Sequence, residues 1–244
     1  MDARHLNLTQ QLVHELGRSI LKGKYKVGDK LPSEAELGEI YDISRNATRE
    51  AVKMLTAKGL ISSRPRKGIQ VVEKNKWNLF DTDVLGWILV GKPDLYMLRH
   101  FLQLRKPVEA QAAYLAAQYA TEEDFENIEQ ALSNMQLAEV NNDADATHHA
   151  DVKFHKAVLN ATKNPFFIQL ENFIEIALQV NLRYTNRIKP VTEREYQAHA
   201  DLFDAIKKGE AHKAYEFAMT TQSATLELVD IAIEKAEKDN ESTI

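Results

Sequence analysis

The sequence has no cysteine. That excludes disulfide staples, thiolate nucleophiles and cysteine-held metal, and it fits a reducing compartment. Nine glycines and six prolines among 244 residues are too few for a collagen-like or low-complexity chain. No apolar run approaches the ~20 residues that a membrane-spanning helix needs, and no charged-then-apolar signal segment opens the chain. A cytoplasmic protein is the expectation. No Gly-rich phosphate cradle and no nucleophile–base pair is visible, which counts against an enzyme. Internal repeats are absent too.

What is present is a composition of globular type, 44% hydrophobic and 27% charged, long enough for two modest domains or one large one. The net charge of −5 taken whole argues against a nucleic-acid partner. Its distribution argues the other way. Residues 1–75 hold 14 Lys and Arg against 9 Asp and Glu, a balance of +5, while the remainder holds 17 against 27, a balance of −10. A basic head on an acidic body is expected where only one domain faces phosphates.

The most informative stretch runs from Leu31 to Val72. Ser33 can cap a short helix whose stripe is Leu37 and Ile40-Tyr41. Asp42-Ile43-Ser44 makes a turn, and Ser44 caps a second helix through Lys58, with Ala47, Ala51, Met54 and Leu55 on its apolar face. Arg45, Asn46, Thr48 and Arg49 crowd the other side of its first two turns. Gly59 ends it. Residues 60–63 and 69–72 read as strands joined by Arg64-Pro65-Arg66-Lys67-Gly68. Leu8, Leu12, Leu16 and Ile20 recur every fourth residue, so a further helix over 8–22 completes a three-helix core. A helix fits the major groove, where Arg pairs with guanine and Asn with adenine. The wing cations Arg64, Arg66 and Lys67 suit phosphates or the adjoining minor groove.

After a polar linker comes an aromatic connector, Trp77 to Leu89, expected to pack between domains or between subunits rather than hang loose. From Pro93 onward no strand pattern appears. The spacing predicts helices over Leu95–Tyr119, from a Thr121–Asp124 capping box, over Ala144–Ala161, from Asn164-Pro165 through Tyr184, over Thr192–Lys207 and from Glu210 to about Lys238. The fold class is therefore mostly α: a winged helix-turn-helix with a β-hairpin wing over 1–74, a connector over 75–92, and an antiparallel all-α bundle over 93–240.

Polar residues on apolar stripes mark the body. Asp151 and His155 stand one turn apart, and His199 lies on the stripe of Leu202, Phe203 and Ile206. Together they suit a divalent ion; the alternative is a helix-surface Asp–His pair and an unrelated His. Arg105 shares a stripe with Glu109, Leu98, Leu102, Ala112 and Ala116. An inward Arg needs an anion, which is either Glu109 alone or, in addition, a ligand carboxylate held bidentately.

These residues also carry a resemblance. "LPSEAELGEIYDISRNATREAVKMLTAKGLI", with the basic wing ending at Gly68, resembles the DNA-binding domain of the GntR family of bacterial transcription regulators. That implies base reading by Arg45 and Arg49, and backbone contact by the first turn after Ser33, including Glu34, with Ser44, Asn46, Thr48 and the wing in the same interface. Ala35 departs from the Arg common there in the family. "LRKPVEAQAAYLAAQYA", "DVKFHKAVLNATKNP" and "EYQAHADLFDAIKKGEAHKAYEFAM" resemble the effector-binding (FCD) domain of the FadR-type branch. The resemblance implies a divalent metal, zinc or nickel, on Asp151, His155 and His199. It also implies an acid held by Arg105, and a homodimer. Where the family usually has a last His ligand, this chain has Gln222, a weaker donor. Asn181, Arg183 and Gln222 are the further candidates to touch the acid. "KWNLFDTDVLGWIL" resembles the connector of family members that repress galactonate catabolism, so a sugar acid is the implied effector. The expected function is a repressor that releases a palindromic operator on binding its acid. Two other classes stand against it: a metal-dependent enzyme fused to a DNA-binding head, and an architectural dimer without effector.

Overall fold

Asn7 opens the first helix, α1 (Leu8–Leu21), through a reciprocal capping box with Gln10 that satisfies amides at the helix start. The computed structural model describes residues 7–89, 94–176, 178 and 194–241. Leu8 at the start of the α1 stripe is exposed, while Leu12, Leu16 and Ile20 are buried, as their fourfold spacing predicts, with Val13 beside them. They close against Leu37 of α2 (Glu34–Ile40) and Ala51, Val52 and Leu55 of α3 (Arg45–Ala57). Burying one such side chain is worth about 1.5–3 kcal/mol, so this shared cluster is the main source of the head's cohesion.

Behind α3 the chain turns at Gly59, which has φ 71°. A Cβ there would lie 2.2 Å from the Lys76 carbonyl oxygen, so both backbone and neighbour demand glycine. Strands β2 (Ile61–Arg64) and β3 (Gly68–Val71) then pair antiparallel. The expected two-stranded hairpin is in fact one side of a three-stranded sheet. A third strand, β1 (Lys30–Leu31), pairs Leu31 with Ile69, giving the order β1-β3-β2. Two residues are too short to show alternation, which is why the sequence did not reveal it.

A 3-10 turn (Lys74–Lys76) leads to α4 (Thr82–Leu89), and Val84 and Trp87 of that helix join the head's core cluster. The chain divides into two compact units, residues 1–90 and 91–244, and α4 falls in the first.

The second unit is helical throughout its described part: α5 (Leu95–Tyr119), α6 (Glu122–Val140), α7 (Ala144–Ala161), α8 (Pro165–Ile168), α9 (171–176), α10 (Arg194–Lys207) and α11 (Ala211–Glu241). Caps set most of the starts: Asp94, Thr121 with Asp124, Asp143 and Asn164 all serve their helices. α5 packs along α11 and α6 along α7, while α10 lies against α5, α6 and α11. One expectation needs correction. The helix from Pro165 does not run on unbroken, because residues 169–170 form a turn before α9 begins. There the ladder tightens, with Leu170 N–H bonding the Phe167 carbonyl. Tyr184, the expected end, lies outside the described residues. No described helix is long and apolar enough to cross a membrane.

Candidate nucleic-acid interface and metal centre

In the head, α2 and α3 pack against each other with α3's first turns on the surface. Ser33 caps α2, accepting from Glu36 N–H, while the Glu36 carboxylate accepts from Ser33 N–H at 2.7 Å. Ser44 caps α3 by accepting from Ala47 N–H at 3.3 Å. Arg45, Asn46 and Arg49 are exposed, on the face expected to meet bases. Glu34 stands 3.7 Å from Arg49 Nε in an exposed pair, worth at most about 1 kcal/mol. Thr48 corrects the expectation. It is fully buried, and its hydroxyl donates to the Ser44 carbonyl at 3.2 Å, so it braces the turn from inside instead of sharing the exposed face of Arg45, Asn46 and Arg49. Ala35 is exposed on α2.

The wing tip presents Arg64, Arg66, Lys67 and Gly68, all exposed. Lys67 N–H bonds the Arg64 carbonyl at 3.1 Å, closing a turn with Pro65 and Arg66 at its centre. Arg66 has φ 64° and Gly68 φ 77°. A left-handed arginine costs about 1–2 kcal/mol, a cost the wing bears at a cation on its tip.

In the body, Asp151 and His155 come from α7 and His199 from α10. His199 Nε2 lies 3.1 Å and His155 Nε2 3.4 Å from Asp151 Oδ1, and the two Nε2 atoms are 3.4 Å apart. Donors about 2.1 Å from a common ion stand about 3.0 Å apart at right angles and about 3.4 Å apart in a tetrahedron. The triangle therefore fits a divalent ion on one face. Phe154, fully buried, sets its ring edge-on to His199 at 4.8 Å between centroids. Around this triangle Glu109, Ala112, Val158, Leu159, Leu202, Ala218 and Thr221 line a cavity of about 10 Å³, enough for one ion or one water.

Behind the triangle stands α5. Arg105 is buried, with Nε 2.6 Å from Glu109 Oε1 and Nη2 3.2 Å from Oε2. Glu109 Oε2 also lies 3.1 Å from His155 Nδ1. Burial alone would raise the Glu109 carboxyl, but the Arg105 charge and then His155 outweigh it and hold it at about 2. Burial alone would depress His155; the Glu109 and Asp151 carboxylates outweigh it and push it up to about 9. Asp151 is likewise raised by burial, yet His155 and His199 bring it well below the usual carboxylate range.

The structure thus joins Asp151, His155 and His199, as their spacing suggested. Arg105 makes the buried pair with Glu109 that both of its readings contain; Glu109 is among the residues that line the cavity. The contact of Glu109 with His155 was missed, because it crosses between helices 46 positions apart in the chain. Thr221 was missed as well; its hydroxyl donates to the Phe217 carbonyl. Gln222 lies on α11, but its side chain, like Asn181 and Arg183, is outside the described residues.

Residues 8–71 match the family described as "Bacterial regulatory proteins, gntR family", and residues 100–221 match the FCD domain. The galactonate operon transcriptional repressor of Escherichia coli K12 is 38% identical over 231 residues, covering 93% of this chain and 99% of that protein. The uncharacterized HTH-type transcriptional regulator YieP of the same strain is 33% identical over 88% of this chain and 92% of its own length. A solved structure of Lar, described as controlling the Listeria monocytogenes agr system, covers 93% of this chain and 98% of its own. Its TM-score is 0.60 at 16% identity, a likeness of fold alone. Both matched families consist of transcription regulators rather than enzymes. The chain belongs to the GntR family of bacterial transcription regulators, in the branch that carries an FCD domain.

Proposed function

We propose that this protein represses a sugar-acid catabolic operon and releases its operator when a sugar acid such as galactonate binds the helical body. The observation that carries this reading is the Asp151–His155–His199 triangle, three ligand atoms within 4.8 Å of one another in the body of a DNA-binding chain. The name of the E. coli relative supplies the substrate class. A divalent ion held there offers a positive anchor to a carboxylate or 2-hydroxyl oxygen. Gln222, Asn181 and Arg183 are the proposed donors to the remaining hydroxyls. Arg105 balances the charge of Glu109 and is the proposed partner of the acid's carboxylate.

The head covers one half-site, so useful affinity requires a two-fold dimer on a palindrome. The acid acts at a distance, so it must bind the low-affinity arrangement of the two heads better than the DNA-bound one. A coupling of ~1–3 kcal/mol changes operator affinity roughly 5–150-fold, and the operator weakens acid binding by the same factor. The test is operator titration with and without saturating galactonate, paired with calorimetry of galactonate binding in the presence and absence of zinc. Matching fold-changes in the two directions support the reading. Operator curves unmoved by any acid in a sugar-acid panel would remove it.

A further inference from the structure

We infer that Glu109 is a positioning residue of the ion site: by accepting the Nδ1 hydrogen of His155, it turns the lone pair of Nε2 toward Asp151 and His199. This rests on the ion-binding reading above.

The geometry separates the two faces of the His155 ring. Nδ1 lies 3.1 Å from Glu109 Oε2, while Nε2 lies 3.4 Å from both Asp151 Oδ1 and His199 Nε2. A neutral imidazole has one N–H and one lone pair. With a carboxylate at Nδ1 the hydrogen stays there, and Nε2 becomes the donor atom. The imidazole is buried, so bulk water does not reach the Nδ1 contact with Glu109.

Glu109 itself lines the ion's cavity, and a carboxylate so placed invites the question of why it is not a ligand. Arg105 answers it. Nε at 2.6 Å engages Oε1 and Nη2 at 3.2 Å engages Oε2, so the oxygen shared with His155 is held from behind. Arg105 and Glu109 stand one turn apart on α5, and that turn sets the carboxylate's direction before any ion arrives. An outer partner of this kind tunes ligand basicity and orientation, and its loss typically costs 10–100-fold in metal affinity. The alternative is a buried ion pair that only holds α5 together.

Competition against a chromophoric chelator measures zinc affinity of the full chain, with circular dichroism to verify folding. The double variant Arg105→Met, Glu109→Leu removes the pair as a unit and leaves no buried lone charge. It should stay folded and bind zinc ~10–100-fold more weakly. In zinc-loaded wild type, nitrogen-15 NMR should find His155 protonated at Nδ1 and bound through Nε2. A folded double variant with wild-type affinity, or a His155 without hydrogen at Nδ1, overturns the role of Glu109 alone. Wild type that takes up no zinc overturns both this role and the ion-binding reading.

Discussion

The indole of Trp87 presses against the backbone of α1 so closely that a Cβ at Gly17 would stand 2.2 Å from its Cζ3. A glycine inside a helix costs about 1 kcal/mol relative to alanine, and here the missing side chain is what lets α4 dock. Lys58, the residue capping the end of α3, completes the attachment. Its ammonium donates to Asp81 at 2.8 Å and Asp83 at 2.7 Å, and lies 5.6 Å from the Trp87 ring centre. The connector was expected to pack and not to hang loose, and its Trp87 is part of the core of the head.

Gly17→Ala should therefore destabilise the head by about 1–3 kcal/mol, because overpacking outweighs the gain in helix propensity. Thermal unfolding measures it. A variant more stable than wild type would show that Trp87 does not dock at this point.

On α3, Arg45→Ala and Arg49→Ala should each cost ~1–3 kcal/mol of specific operator binding. Thr48→Val should behave differently. It loses the hydroxyl bond to the Ser44 carbonyl, lowering stability by roughly 1 kcal/mol, while the folded protein keeps its operator affinity. Glu34→Gln removes a negative charge beside Arg49 and should tighten binding to all sequences. Fluorescence anisotropy on specific and random duplexes separates these effects. Arginine variants with wild-type operator affinity would dismiss α3 as the recognition helix.

At the wing, Arg66→Gly relieves the left-handed arginine but loosens the unfolded chain, so stability should stay within about 1 kcal/mol of wild type. DNA binding should weaken for every sequence, with the salt slope falling by about one; Lys67→Ala should do the same. An unchanged salt slope in both variants would place the wing away from phosphates.

Zinc uptake should depend on pH in a defined direction. His155 is pushed up to about 9, chiefly by Glu109 and Asp151 overcoming its burial, so below that pH the ion must displace a proton from Nε2. Affinity should rise up to tenfold per pH unit toward about 9. The same shift makes His155⁺ stabilising in the ion-free protein below its ordinary value near 6.5, a contribution lost as pH rises through about 9. Gln222→His should tighten zinc at every pH, since imidazole is the stronger donor. Competition titrations across this range check both, and a flat profile would show that no such proton is displaced.

Much of this protein was legible without coordinates because its signals are local. Ser33, Ser44, the Thr121–Asp124 box and Asn164-Pro165 each announce a helix within three or four residues, and a capping bond spans no more than that. The exposed Arg45, Asn46 and Arg49, the basic wing, and Asp151 one turn from His155 were readable for the same reason. Thr48 shares a helical turn with those exposed residues, yet the packing of α2 on α3 decided that it faces inward. The pairing of β1 with β3, the turn at 169–170 and the docking of Trp87 on Gly17 depend on neighbours distant in sequence. So does the meeting of Glu109, His155 and His199 from three helices, where a few tenths of an ångström separate a ligand from a bystander. A few consecutive residues can specify a cap or a helix face; only the packed core sets the distances between helices, and the chemistry of the site lives in those distances.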